Sequence, residues 1–150
     1  MTIAVDFDGT IVEHAYPKIG KPIPFAVEVL RKLQQEEKHK LILWTMREGL
    51  LLQEAVAYCE KNDIFFFACN KNYPEEDIGH SPRKIAADLF IDDRNIGGLP
   101  DWGVIYNMIK SGVNSFQVYN RRAMIEQPRI KRNWMIRLGE AWAKTKGNHY

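Results

Sequence analysis

No stretch of this sequence is apolar for long enough to cross a bilayer, which takes about 18 consecutive residues of a spanning helix, because polar or charged residues interrupt every hydrophobic run. A basic leader feeding an apolar signal segment is missing too, since Asp6 and Asp8 arrive at the start of the chain. These absences predict a soluble, cytoplasmic protein with no membrane partner. Cysteine is scarce: Cys59 and Cys69 are the only two. Two cysteines cannot build a disulfide framework or an all-cysteine zinc site, and their settings, one in a helical pattern and one closing an apolar run, read as buried thiols. There is no internal repeat and no low-complexity segment. What is present is a 150-residue chain that is 45% hydrophobic, enough for one domain with a sizeable core.

The formal net charge of +2 is unevenly spread. Residues 113–150 carry 8 Lys and Arg against 2 Asp and Glu, whereas residues 1–112 carry 13 against 17. A basic end can serve an anionic partner, and it can equally be a solvated helix face.

Hydrophobic spacing predicts alternating strands and helices. Residues 2–6, TIAVD, form a short β-branched run that ends on an acid. A loop rich in proline and glycine follows from Glu13 to Pro24. Ala26, Val29, Leu30 and Leu33 then fall on one helical face, predicting a helix over about 24–37. KLILWT (40–45) reads as a second strand, LLLQEAVAYCEKN (50–62) as a second helix and IFFFAC (64–69) as a third strand. After a polar, turn-rich stretch, DLFIDD (88–93) reads as a fourth strand, and Trp102, Ile105, Tyr106 and Ile109 mark another helix. Continuous apolar strands alternating with helices predict an α/β fold with a parallel sheet covered on both faces. Ligands of such sheets sit at the carboxyl ends of the strands. Asp6, Thr45, Asp92 and Asp93 all fall there.

In VDFDGT (5–10), alternation along an extended chain puts Asp6 and Asp8 on one side with their Cα atoms about 6.5 Å apart. Two carboxylates so placed repel unless a proton or a cation intervenes. With Asp92 and Asp93 added, four acids meet at one sheet edge, and a hard divalent ion with oxygen ligands, Mg²⁺ above all, suits them. Gly9 frees the backbone to turn so that its N–H groups face an anion. Thr45 offers a hydroxyl, and Lys84, ahead of the fourth strand, offers a positive charge. Such groups around a carboxylate nucleophile are what phosphoryl transfer needs, since that reaction depends on positioning and on neutralising the equatorial oxygens.

VDFDGT, LILWT, Lys84 and FIDD, in that order, resemble the four motifs of the haloacid dehalogenase (HAD) superfamily over residues 1 to about 111. The resemblance implies a three-layer, Rossmann-like parallel sheet. It implies Asp6 as nucleophile and Mg²⁺ ligand, and Asp8 as general acid and then general base, with its carbonyl as a further ligand. Gly9, Thr45, Met46 and Lys84 would bind the phosphoryl group, Asp92 would ligate Mg²⁺, and Asp93 would do so directly or through water. An acid at position 8 points to a phosphatase, because relatives that break C–Cl or C–P bonds generally lack it. The segments available for a cap, 13–24 and 68–82, are short, so the protein reads as capless, its site closed by the substrate or by a neighbouring subunit of a homo-oligomer. TMREG and FIDDR further resemble the phosphatase domains of polynucleotide kinase-phosphatases and small phage-associated HAD proteins, which implies a phosphate-binding role for Arg47 and widens the substrate range to a phosphorylated metabolite, nucleotide or polynucleotide end. The other reading of Arg47 is a salt bridge at a helix start.

Lys71 and Arg83 are alternatives to Lys84 for gripping phosphate, and His14 and His80 lie in loops expected to overhang the site. Beyond the core, residues 112–150 read as a C-terminal extension whose Ile130, Trp134, Leu138 and Trp142 recur every four residues, a helix packed on the core or on a partner subunit, or a basic, aromatic nucleic-acid platform. Two other functional classes fit parts of the pattern. A signalling receiver domain also forms an aspartyl-phosphate, but carries the reacting acid on a later strand. A non-catalytic binding or assembly module of the same fold would use the basic tail as its surface.

Overall fold

The structure is a computed structural model and describes residues 1–77, 79–80 and 83–112. Met1–Gly112 form one compact unit. The expected extension over 112–150 lies, apart from Gly112, outside the described residues. The elements in chain order are β1 (Thr2–Val5), α1 (Ala26–Gln35), β2 (Lys40–Leu43), α2 (Gly49–Lys61), β3 (Ala68–Cys69), β4 (Leu89–Ile91) and α3 (Trp102–Lys110). The strands form one parallel sheet in the order β3-β2-β1-β4. This is an α/β parallel sheet, as the alternation predicts, and it is consistent with the Rossmann-like arrangement that the resemblance implies. No helix among the described residues is long and apolar enough to cross a membrane.

Register decides which side chains share a face. Ile3 pairs with Leu41 and Val5 with both Leu43 and Ile91, so these five side chains line the same face of the sheet. They join one continuous core with Val29, Leu30 and Leu33 of α1, Ala55 and Cys59 of α2, and Trp102, Ile105 and Ile109 of α3. Every described helix therefore contributes to the same side of the sheet. Ala4 and Ile42, which alternate to the opposite face, are buried as well. A second helical layer over that face, expected from the sequence, is not found among the described residues.

IFFFAC differs from its predicted form. Only Ala68 and Cys69 are strand, at the outer edge of the sheet, although Phe67 N–H still donates to Leu41 O at 2.8 Å. The run is not buried on both faces: Ile64 faces the core, while Phe65 and Phe67 are 56% and 39% exposed. An outermost strand has a neighbour on one side only, so alternation returns even where every residue is apolar. Lys40 covers part of this surface, its Nζ lying 4.0 Å from the centre of the Phe67 ring.

Helix ends follow local chemistry. Asp101 caps α3 by accepting a hydrogen bond from Gly103 N–H at 2.8 Å. The next residue, Trp102, is buried and donates its indole N–H to Thr10 O at 3.1 Å. This bond ties α3 to the turn that leaves β1.

Candidate active site

Because β1, β2 and β4 are parallel and in register at Val5, Leu43 and Ile91, the residues that follow them emerge level with one another at one edge. Asp6 N–H donates to Ile91 O at 3.0 Å and Trp44 N–H to Val5 O at 2.8 Å, which carries the ladder one step beyond the strands. Asp6, Trp44 and Asp92 thereby open a cleft of about 540 Å³ whose other walls are Asp8, His14, Tyr16, Thr45, Met46 and Arg94.

One carboxylate oxygen from each of Asp6, Asp92 and Asp93 lies within 4.8 Å of the other two. Burial pushes the Asp6 carboxyl up to about 6, with Asp92, Asp93 and Asp8 adding to the rise against a backbone hydrogen bond from Phe7 that lowers it. Asp93 is held in two ways: its N–H donates to Thr10 Oγ1 at 3.1 Å, and its Oδ2 lies 2.8 Å from His14 Nε2. Its Oδ1 is buried and has no hydrogen-bond partner. Three carboxylates this close, one of them with a buried oxygen that has no partner, are a donor set that suits a cation, and all-oxygen donors suit a hard divalent ion. Among the described residues this is the one group of three or more acids, histidines or cysteines that lie this close together.

The second acid of VDFDGT is held quite differently. Arg47 is buried, and it grips Asp8 with two parallel bonds, Nε to Oδ2 and Nη2 to Oδ1, both 2.7 Å. Its remaining reach goes to the loop after β1, with Nη1 donating to Pro17 O at 2.9 Å and Nη2 to Lys18 O at 2.8 Å. The rings of Phe7 and Tyr16 lie 5.0 and 5.4 Å from the guanidinium carbon. Asp8 in turn raises the pKa of Arg47, the hydrogen bond to its carboxylate being the largest cause. The structure thus turns Arg47, expected to bind phosphate, toward the protein: four of its five N–H donors are engaged inside it, and it does not line the cleft. Nor is it a salt bridge to a neighbouring Glu. It sets the position of Asp8.

Gly9 must be glycine for two reasons. Its φ of +84° lies in the left-handed region, and a Cβ there would collide with the His14 ring and the Asp93 carboxylate. The hydroxyl of Thr10 accepts from Asp93 N–H and the residue is fully buried, so it locks the turn into the core and does not face a ligand. Thr45 and Met46 do line the cleft. Thr45 N–H donates to Asn70 Oδ1 at 2.8 Å, and Asn70 Nδ2 donates to Arg47 O at 3.3 Å, so one side chain braces the segment that delivers Thr45.

Lys84 is exposed and does not line the cleft, and neither do Lys71, Arg83 or His80. His80 instead lies 2.7 Å from Asp77. The cation at the cleft is Arg94, whose N–H donates to Asp92 Oδ1 at 2.7 Å and whose Nη1 approaches Met46 Sδ at 3.6 Å. Sequence spacing locates a strand end accurately but cannot say where a side chain on a long irregular loop will point, and Lys84 sits on such a loop. Tyr16, Trp44 and Asn70 were missed. Trp44 and Asn70 were findable, since each directly follows a strand that ends at the same edge.

No protein-family model and no curated protein matches the chain. Among solved structures, the conserved protein coded by a locus of Bacteroides thetaiotaomicron is similar: it is 64% identical, the match covers 79% of this chain and 97% of that one, and the TM-score is 0.72. About a fifth of this chain thus lies outside the match. At that identity and coverage, the chain belongs to the same family as the conserved Bacteroides protein.

Proposed function

We propose that the protein is a Mg²⁺-dependent phosphomonoesterase of the HAD type, without a cap domain, that works through an aspartyl-phosphate on Asp6. The observation that carries this reading is the meeting of a carboxylate oxygen from each of Asp6, Asp92 and Asp93 at the strand ends, beside a separately held Asp8. Mg²⁺ would be held by Asp6, Asp92 and Asp93, where it would neutralise the acids and draw charge from the phosphoryl oxygens.

The chain's own residues then divide the work. With Asp8 entering the cycle protonated, a carboxylate oxygen of Asp6 attacks phosphorus as the bond from phosphorus to the leaving oxygen breaks, and Asp8 gives that oxygen its proton. Water next attacks the phosphorus of the acyl phosphate, Asp8 takes its proton, and the bond between Asp6 and phosphorus breaks to release inorganic phosphate. Each oxygen of Asp8 has two lone pairs and Arg47 occupies one on each, so the others remain for proton exchange. Thr45 and Arg94 line the cleft where the phosphoryl oxygens would lie. Tyr16, Trp44 and Met46 add aromatic and thioether surface to the polar lining of the cleft. That surface would stack on a leaving group with a planar ring.

The test is phosphate release from sugar phosphates, aryl phosphates, nucleoside monophosphates and 3′- or 5′-phosphorylated oligonucleotides, with Mg²⁺ or EDTA. Turnover that requires Mg²⁺ and disappears in Asp6→Asn is the expected result. Absence of turnover on every ester, by protein that binds Mg²⁺, would refute the reading.

A further inference from the structure

We infer that His14 is a positioning residue for the cation site, one that fixes Asp93 so that a single carboxylate oxygen is left for the ion. The inference rests on the reading of Asp6, Asp92 and Asp93 as cation ligands and adds a residue that lies outside the acidic cluster.

Asp93 has one oxygen with a partner and one without: Oδ2 lies 2.8 Å from His14 Nε2, while the buried Oδ1 accepts nothing. A carboxylate only accepts, so Nε2 carries the hydrogen of this bond. His14 is itself set by the backbone around it. Glu13 N–H donates to Lys21 O at 2.8 Å and Val12 bridges to Pro22, which closes the base of the loop that bears His14. The imidazole and the Asp93 carboxylate close over Gly9, where a side chain as small as a methyl group would strike both. Three separate restraints thus converge on this pair: the closed loop base, the glycine gap, and the bond from Asp93 N–H to Thr10 Oγ1.

A carboxylate that is free to rotate exchanges its two oxygens and spreads its charge over several orientations. With Oδ2 engaged, the Asp93 carboxylate is held in one orientation before any ion arrives. Outer partners of this kind typically account for 10–100-fold in metal affinity. The imidazole is half exposed and lines the cleft, so it can be replaced without opening the core.

The experiment is calorimetric titration of the full chain with Mg²⁺ for wild type, His14→Ala, His14→Gln and Asp93→Asn, with thermal melts in EDTA to confirm folding. The expected result is a dissociation constant about 10–100-fold weaker in His14→Ala, largely recovered in His14→Gln, whose amide keeps a donor, with all melts in EDTA close to wild type. In turnover, the Mg²⁺ concentration for half activity shifts by the same factor in His14→Ala. Wild-type affinity or tighter in His14→Ala overturns the inference, because the imidazole would then be a bystander or a competitor. Failure of the wild type to bind Mg²⁺ refutes the cation site itself, a result that the wild-type titration alone reveals.

Discussion

Arg47 meets Asp8 edge to edge, with two N–H···O bonds of 2.7 Å from Nε and Nη2. The geometry uses the planar fork of arginine, which an ammonium cannot reproduce. Arg47→Lys keeps the charge but loses the fork and the reach to Pro17 O and Lys18 O. Its kcat is expected to fall about 100-fold, the lower end of what a misplaced general acid costs. Arg47→Ala leaves Asp8 unpaired where little solvent reaches, and denaturant unfolding should show a loss of about 3 kcal/mol.

Asp6 gives a stability prediction of definite sign. Its carboxyl titrates near 6 in the folded chain, above the ordinary 3.8, so the folded state holds that proton more tightly than the unfolded state does. In EDTA the ionised group therefore opposes folding above about pH 6, and this penalty fades as pH falls from about 6 toward 4. Asp6→Asn is expected to melt higher than wild type at pH 7.5 in EDTA, by about 1 kcal/mol after allowance for solvent screening, and to match it near pH 4. Added Mg²⁺ should narrow the gap at pH 7.5. Melting curves at both pH values, with and without the ion, check every part of this.

Gly9→Ala combines a strained φ with contacts against His14 and Asp93. Loss of stability of about 1–3 kcal/mol is expected from the backbone alone. Mg²⁺ affinity should drop as well, because the methyl group must displace the Asp93 carboxylate or the imidazole that holds it. Titration with the ion separates this from a purely structural effect.

Trp102→Phe removes the indole donor to Thr10 O and leaves that carbonyl unpaired in the core. About 1–3 kcal/mol of stability should be lost. Because Thr10 Oγ1 also holds Asp93 N–H, the variant should bind Mg²⁺ more weakly at a temperature where it is still fully folded.

The parts of this molecule that could be read from sequence are those governed by short periodicities. Ala26, Val29, Leu30 and Leu33 announce α1 by their spacing, and all four are buried. Asp6, Thr45 and Asp92 were placed at one sheet edge because a parallel strand delivers whatever follows it to its carboxyl end, and the register carries all three into the cleft. Side-chain direction was not legible. Arg47 and Lys84 are both cations near a phosphate motif, yet one turns inward to Asp8 and the other stays in solvent, a choice fixed by the loop carbonyls of Pro17 and Lys18 and by the length of the segment before β4. IFFFAC misled because a run of apolar residues carries no mark of standing at the edge of a sheet.

The grip of Arg47 on the loop after β1 has a consequence for how the protein can diverge. It holds Pro17 and Lys18 through their carbonyl oxygens, which every amino acid supplies, and asks nothing of their side chains. The Lys18 side chain can therefore be exchanged while this hold on the main chain, and with it the placement of Asp8, is kept. On the proposed reading, the acid that moves the proton stays in place when the side chain at position 18 is changed.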